Sequence, residues 1–94
     1  MTEKLTTFDP ADYLETDGDR AQFISEALET GDSVFIAKAL GIVARSKGMT
    51  AISGDSGIHR DTLYRSLSEQ GNPTLKTILA VLNALGIKLT AQAA

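Results

Sequence analysis

Apolar positions along this chain recur every three to four residues in separate short blocks, each bounded by Asp, Ser, Thr, Gly or Pro. That period is the signature of helices that bury one face, and the polar boundaries are helix starts and stops. Asp9-Pro10 supplies an N-cap acceptor and a proline at the first helical position, predicting a helix over 10–16 with Tyr13 and Leu14 facing inward. A second helix is expected after Asp17-Gly18-Asp19, running to Thr30 on the stripe Phe23, Ile24, Ala27 and Leu28 and ended by Gly31. Asp32 or Ser33 caps a third, whose run VFIAKALGIVAR is apolar nearly all round and is expected to pack between other elements, closing at Lys47-Gly48.

Thr50 can cap a short fourth helix over 50–55, although Ser53, Gly54, Asp55 and Ser56 are weak helix formers. Gly57 makes a turn, Ile58 plugs it into the core, and a fifth helix over 60–69 buries Leu63 and Leu67 before Gly71 stops it. Asn72-Pro73-Thr74 starts a sixth, with Leu75, Ile78, Leu79, Leu82 and Leu85 on one face and Gly86 at its end. The tail Ile87-Lys88-Leu89-Thr90 alternates apolar and polar like a short strand. It has no partner in this chain, so it either pairs with its copy in a dimer or another protein, or docks loosely. The expectation is an all-α fold of five to six short helices forming one compact domain. Acidic N-terminal helices (1–32) pack on a helix-turn-helix unit (33–94), with a possible short C-terminal strand.

Length and composition sharpen this picture. A chain of 94 residues can bury roughly 60–65% of the surface it exposes when unfolded, enough for a core without covalent staples. It has no cysteine, so neither a disulfide framework nor a zinc-finger ligand set is available, which fits a reducing cytoplasm. MTEKLTTFDP holds no apolar run of signal-peptide length, and later apolar stretches are broken by Lys38, Gly41, Arg45 or Lys76, so a soluble, cytoplasmic protein with no membrane partner is expected.

The net charge of −3 is strongly polarised. Residues 1–32 hold nine acids against two bases, and residues 33–94 hold three acids against seven bases. Either both faces are merely solvated, or the basic part serves phosphate and the acidic part a basic protein.

The basic part carries the candidate chemistry. With Ile52, Ile58, Leu63 and Leu67 turned inward, the outer side of the fifth helix holds His59, Arg60, Asp61, Thr62, Arg65 and Ser66. Arginine can place two donors on guanine, while Thr, Ser and Tyr bond phosphates or touch thymine methyls, which makes Arg60 and Arg65 the base readers of a helix suited to the major groove of double-stranded DNA. Tyr64 either contacts DNA or packs on the domain. His59 approaches the backbone or caps weakly, and Asp61 complements the helix dipole, orients an arginine or contacts cytosine. Lys47, Ser53 and Lys76 are either backbone clamps or solvated surface.

The stretch GMTAISGDSGIHRDTLYRSLSEQGNPTLKTILAVLNALG, with FDPADYL near the N-terminus, resembles the addiction-module antidote proteins of the HigA-like type, also seen as prophage DNA-binding proteins. The resemblance implies a lambda-repressor-like helix-turn-helix and a neighbouring small basic RelE/HigB-like toxin, an RNase acting on messenger RNA. Gly57 matches the turn glycine, Ile58 to Ser68 the recognition helix, and Gly71, Asn72 and Pro73 the family's GNP. His59 stands where Ser is common, and Ser53-Gly54-Asp55-Ser56 is poorer in Ala than the usual first helix.

The reading that follows is an antitoxin that neutralises such a toxin and, as a homodimer on an inverted repeat, represses its operon. A prophage-type repressor without a toxin is the other reading. Asp9, Asp12, Tyr13, Glu15, Asp19, Glu26 and Glu29 form the candidate toxin surface, because a protein that cleaves RNA needs a basic face. No catalytic constellation, cofactor or metal is expected. There is one histidine and no phosphate-cradling loop, and Asp17-Gly18-Asp19 lacks the rest of a calcium loop.

Overall fold

The computed structural model describes residues 9–94, so the acidic and basic residues before Asp9 lie outside the described region. It holds one 3-10 turn and five α-helices: the turn at Pro10–Tyr13, then α1 (Asp17–Glu29), α2 (Ser33–Lys47), α3 (Met49–Ser56), α4 (Arg60–Ser66) and α5 (Leu75–Leu85). Among the described residues there is no strand, and no helix is long and apolar enough to cross a membrane.

The architecture is organised by α2. The helix packs against the 3-10 turn and against every other helix. Ala37, Ala39, Leu40, Gly41, Ile42, Val43 and Ala44 are all buried, which bears out the expectation from its nearly continuous apolar run. Val34 and Phe35 are the exception, at 49% and 43% exposure. Asp32 is the cap, its Oδ1 accepting from the Val34 and Phe35 N–H groups. Around α2 the core joins Ile24 of α1, Met49 and Ile52 of α3, Leu63 and Leu67, and Val81, Leu82 and Leu85 of α5.

One close approach fixes α4 on this scaffold. A Cβ at position 41 would meet the backbone carbonyl oxygen of Leu67, the residue that caps α4, so α2 needs glycine there. Between α3 and α4 the chain turns through Gly57 at φ 77, in the left-handed region that glycine occupies without a Cβ clash. Ile58 follows, half-buried against the core as expected.

The structure corrects several predicted boundaries. The expected helix over 10–16 is a single 3-10 turn, because Thr16 starts a new helix almost at once. Thr16 Oγ1 accepts from the Asp19 N–H at 3.0 Å and Asp19 Oδ2 accepts from the Thr16 N–H at 3.2 Å, a reciprocal capping box that places Asp17-Gly18-Asp19 inside α1. Tyr13 is 67% exposed rather than inward, and only Leu14 reaches the core. Thr50 lies within α3, whose cap is Gly48, with no side-chain hydrogen bond. α4 stops at Ser66, short of 69, and the chain folds back so that Gly71 packs against the carbonyls of Arg65 and Ser66, where a Cβ would clash. α5 begins after Thr74, whose hydroxyl accepts from the Thr77 N–H.

The predicted C-terminal strand is absent. Ile87 donates to the Leu82 carbonyl at 2.9 Å and packs on the core, and the rest of the tail finds no strand to pair with. The apolar face of α5 is covered only in part, with Val81, Leu82 and Leu85 buried but Leu75 and Leu79 exposed.

The N-terminal part is fastened to the end of α2 by polar contacts. Arg20, only 8% exposed, donates from Nε to Ser46 Oγ at 2.9 Å and from Nη1 to Asp17 at 3.0 Å, and its Nη2 reaches the carbonyls of Leu14 and Ser46. Exposed pairs Asp9–Arg45 (2.7 Å) and Asp17–Lys47 (3.3 Å) flank it.

Gly41→Ala forces a methyl against backbone and is expected to lower the unfolding free energy by about 1–3 kcal/mol, whereas Gly54→Ala, in open space on α3, should raise it by about 0.5–1 kcal/mol; urea unfolding of both variants checks the contrast. The carboxyl of Asp9 is held below the ordinary carboxylate range by the Ala11 N–H and then by Arg45, and that of Asp19 by the N–H groups of Glu15 and Thr16. Their contribution is complete above the unfolded value near about 3.9 and is lost as pH falls through the lower folded values. The urea midpoint should therefore fall once the pH drops below about 4, and Asp19→Asn should flatten part of that dependence; an unchanged slope in the variant contradicts the capping account.

Candidate nucleic-acid interface

α4 is a seven-residue helix, RDTLYRS, held from one side only. Leu63 is fully buried and Leu67 is 6% exposed, one turn apart, so the helix faces solvent with the residues between them. His59, Arg60, Asp61, Tyr64 and Arg65 are exposed, while Thr62 and Ser66 sit half-buried along the flanks. In helical spacing, Arg60 lies one turn before Tyr64 and Asp61 one turn before Arg65, giving two adjacent rows on the outer face.

The guanidiniums of Arg60 and Arg65 make no hydrogen bond or ion pair among the described residues, unlike the side chains of Lys38, Arg45 and Lys47, which are each paired with a carboxylate. Both guanidiniums thus retain all their donors. Asp61 stands in the first turn, where a negative charge suits the positive end of the helix dipole, and it makes no ion pair with either arginine. His59 occupies the N-cap position without a side-chain cap bond, so its imidazole is left at the surface.

Tyr64 is partly covered by the domain and partly open to solvent. It is 47% exposed, yet its ring also lines a concavity with Asp9, Arg45, Ser46 and Met49. This places the edge of α4 next to the N-terminal segment, a juxtaposition that the sequence pattern did not suggest.

The three flanking residues fare differently. Lys47 is engaged by Asp17, and since that pair is exposed its cost to break is about 0–1 kcal/mol. Ser53 donates its hydroxyl to the Ile58 carbonyl at 2.6 Å, locking the turn between α3 and α4. Lys76 is exposed on the first turn of α5 and makes no ion pair.

The acidic residues do not form one patch. Asp19, Glu26 and Glu29 run along one exposed face of α1, with Tyr13, Gln22 and Phe23 beside Asp19 and Glu26 in a shallow depression. Asp12 and Glu15 are exposed near its start, whereas Asp9 is turned toward Arg45 and the α4 side. The residue that sequence reasoning missed is Arg20, counted there only as a charge. Its spacing of three from Asp17 was the available signal.

A family model described as probable addiction module antidote protein matches residues 4–93. An uncharacterized protein of Haemophilus influenzae (strain ATCC 51907 / DSM 11121 / KW20 / Rd) is 38% identical over 92 residues, covering 98% of this chain and 95% of that protein. No solved structure matches significantly. On the extent of the family match and of this relative, the chain belongs to the family of probable addiction module antidote proteins.

Proposed function

We propose that the chain is a non-catalytic antitoxin that neutralises a small basic RelE/HigB-like RNase and represses its own operon by binding double-stranded DNA as a homodimer. Membership of an antidote family supports the antitoxin half. The observation that carries the DNA half is the pair of unengaged arginines, Arg60 and Arg65, on a helix whose other side is anchored by Leu63 and Leu67. α3, the Gly57 turn and α4 serve as a helix-turn-helix in this reading, with α4 in the major groove. Arginine forks there can read guanine, and Thr62, Ser66, Lys47 and Lys76 border the phosphates.

The acidic face of α1 is the toxin-facing surface. It carries Asp19, Glu26 and Glu29 without a cationic partner for either glutamate, next to the exposed ring of Tyr13. A basic RNA-cleaving protein docked there has its substrate path masked and is attracted electrostatically as it approaches. The two clients use separate elements, so one protomer can hold both.

Arg60→Ala and Arg65→Ala are each expected to weaken binding to the promoter DNA of the operon by about 1–3 kcal/mol while leaving thermal unfolding unchanged; electrophoretic mobility shift with the two variants reads this, and unaltered affinity removes α4 as the reader. Coexpression with the adjacent reading frame should yield a copurifying small basic protein, and Glu26→Lys with Glu29→Lys should release it. A failure of any such protein to copurify with the wild type favours the repressor without a toxin.

A further inference from the structure

A polar concavity of about 350 Å³ opens where the N-terminal segment, the end of α2 and the outer edge of α4 meet, with Asp9, Asp12, Arg45, Ser46, Met49 and Tyr64 among its lining residues. Arg45 is the one cation among them. Its Nη2 lies 2.7 Å from Asp9 Oδ1, the shortest ion pair among the described residues, and the same oxygen accepts from the Ala11 N–H at 3.1 Å. Ser46 is already committed, its hydroxyl donating to the Val43 carbonyl at 2.6 Å and accepting from Arg20 Nε. Asp12 makes no ion pair among the described residues, so the concavity holds one carboxylate more than it has cations to meet.

The place of this concavity beside α4 gives it a bearing on DNA. Tyr64, in its lining, stands one turn after Arg60 and next to Arg65 on the helix that the preceding reading seats in the major groove. That groove is about 12 Å wide and a helix with its side chains about 10–12 Å across, so residues bordering a seated helix meet the phosphates along the groove's edges. Arg45 borders α4 through Tyr64, and its planar fork suits phosphate as well as carboxylate. Both ends of its present pair are exposed, 40% for Arg45 and 38% for Asp9, so water screens the pair and a phosphate can displace the carboxylate at little cost. While the pair holds, the charges that face an approaching phosphate here are those of Asp9 and Asp12.

We infer that Asp9 competes with the DNA backbone for Arg45, so that the N-terminal segment is a built-in restraint on DNA binding and Arg45 is a further phosphate contact held in reserve. The inference rests on the reading of α4 as the DNA-facing helix. It gives the Asp9–Arg45 pair a consequence beyond folding: an exposed pair contributes little to stability, but this one withdraws a cation that borders α4. The resting protein therefore binds DNA less tightly than its own bases allow, and Arg45 reaches phosphate only where the N-terminal segment yields it.

Fluorescence anisotropy of a promoter duplex titrated with the full chain at several salt concentrations tests this. Asp9→Asn keeps an acceptor for the Ala11 N–H and removes the charge. It should tighten binding about threefold, the scale of an exposed ion pair, and steepen the fall of log affinity with log salt concentration by about 0.9, the increment for one added phosphate contact. Arg45→Ala alone should change affinity by less than about twofold, and combined with Asp9→Asn it should cancel the gain. Glu15→Gln, which removes an equal charge from the same segment outside the concavity, should leave the salt slope unchanged. A gain that survives Arg45→Ala, an equal gain in Glu15→Gln, or an Asp9→Asn protein that binds like the wild type overturns the inference; if Arg60→Ala still weakens binding in that case, the DNA reading stands. Wild-type and Asp9→Asn proteins that both leave the duplex unbound remove the DNA reading, and this inference with it.

Discussion

The contact between Gly41 and the Leu67 carbonyl sets the position of α4, and much of the molecule can be understood from it. α2 is buried over most of its length, so its small residues determine how near its neighbours come. At Gly41 the backbone of the α4 cap lies where a side chain would begin, which draws Leu67 and, one turn earlier, Leu63 into the core. A helix of seven residues has little stability of its own, and nothing caps its N-terminus with a side-chain bond. Its conformation is therefore a consequence of tertiary packing, and that packing orders Arg60 and Arg65 on the free side.

The polarised charge of the chain is partly consumed within the fold. Asp9 and Asp17 neutralise Arg45 and Lys47 at the end of α2, and the buried Arg20 ties both termini of that junction together. The N-terminal segment is thus an integral layer of the structure, and it leaves Glu26 and Glu29 as uncompensated acids on α1 while Arg60 and Arg65 remain uncompensated bases on α4. The separation of the two surfaces arises from which charges find an internal partner, and not only from their order along the chain.

The helices themselves were legible in the sequence, since periodicity, Asp32, Gly57 and Gly86 announce them through local chemistry. The misplaced edges are those where two local signals compete. Asp17-Gly18-Asp19 resembles a turn until Thr16 and Asp19 are seen to cap each other, and Thr50 offers a cap that the chain leaves unused in favour of Gly48. The outer face of α4 could be read from Leu63 and Leu67 alone. The pairing of Lys47, the inward bond of Ser53 and the burial of Arg20 could not, because each depends on a residue brought near by the fold rather than by the sequence. The alternating tail shows the converse error: period two implies a strand only where another edge is present to pair with it.

The central claim is that α4 meets DNA while α1 meets a protein, and amide chemical-shift mapping of the full chain tests it most directly. Titration with duplex DNA from the promoter upstream of its own gene should shift the amides of α4 and the Gly57 turn while leaving the exposed face of α1 in place, and subsequent addition of the neighbouring basic protein should then shift α1. Shifts confined to α1 on adding DNA, with α4 unmoved, would contradict the account.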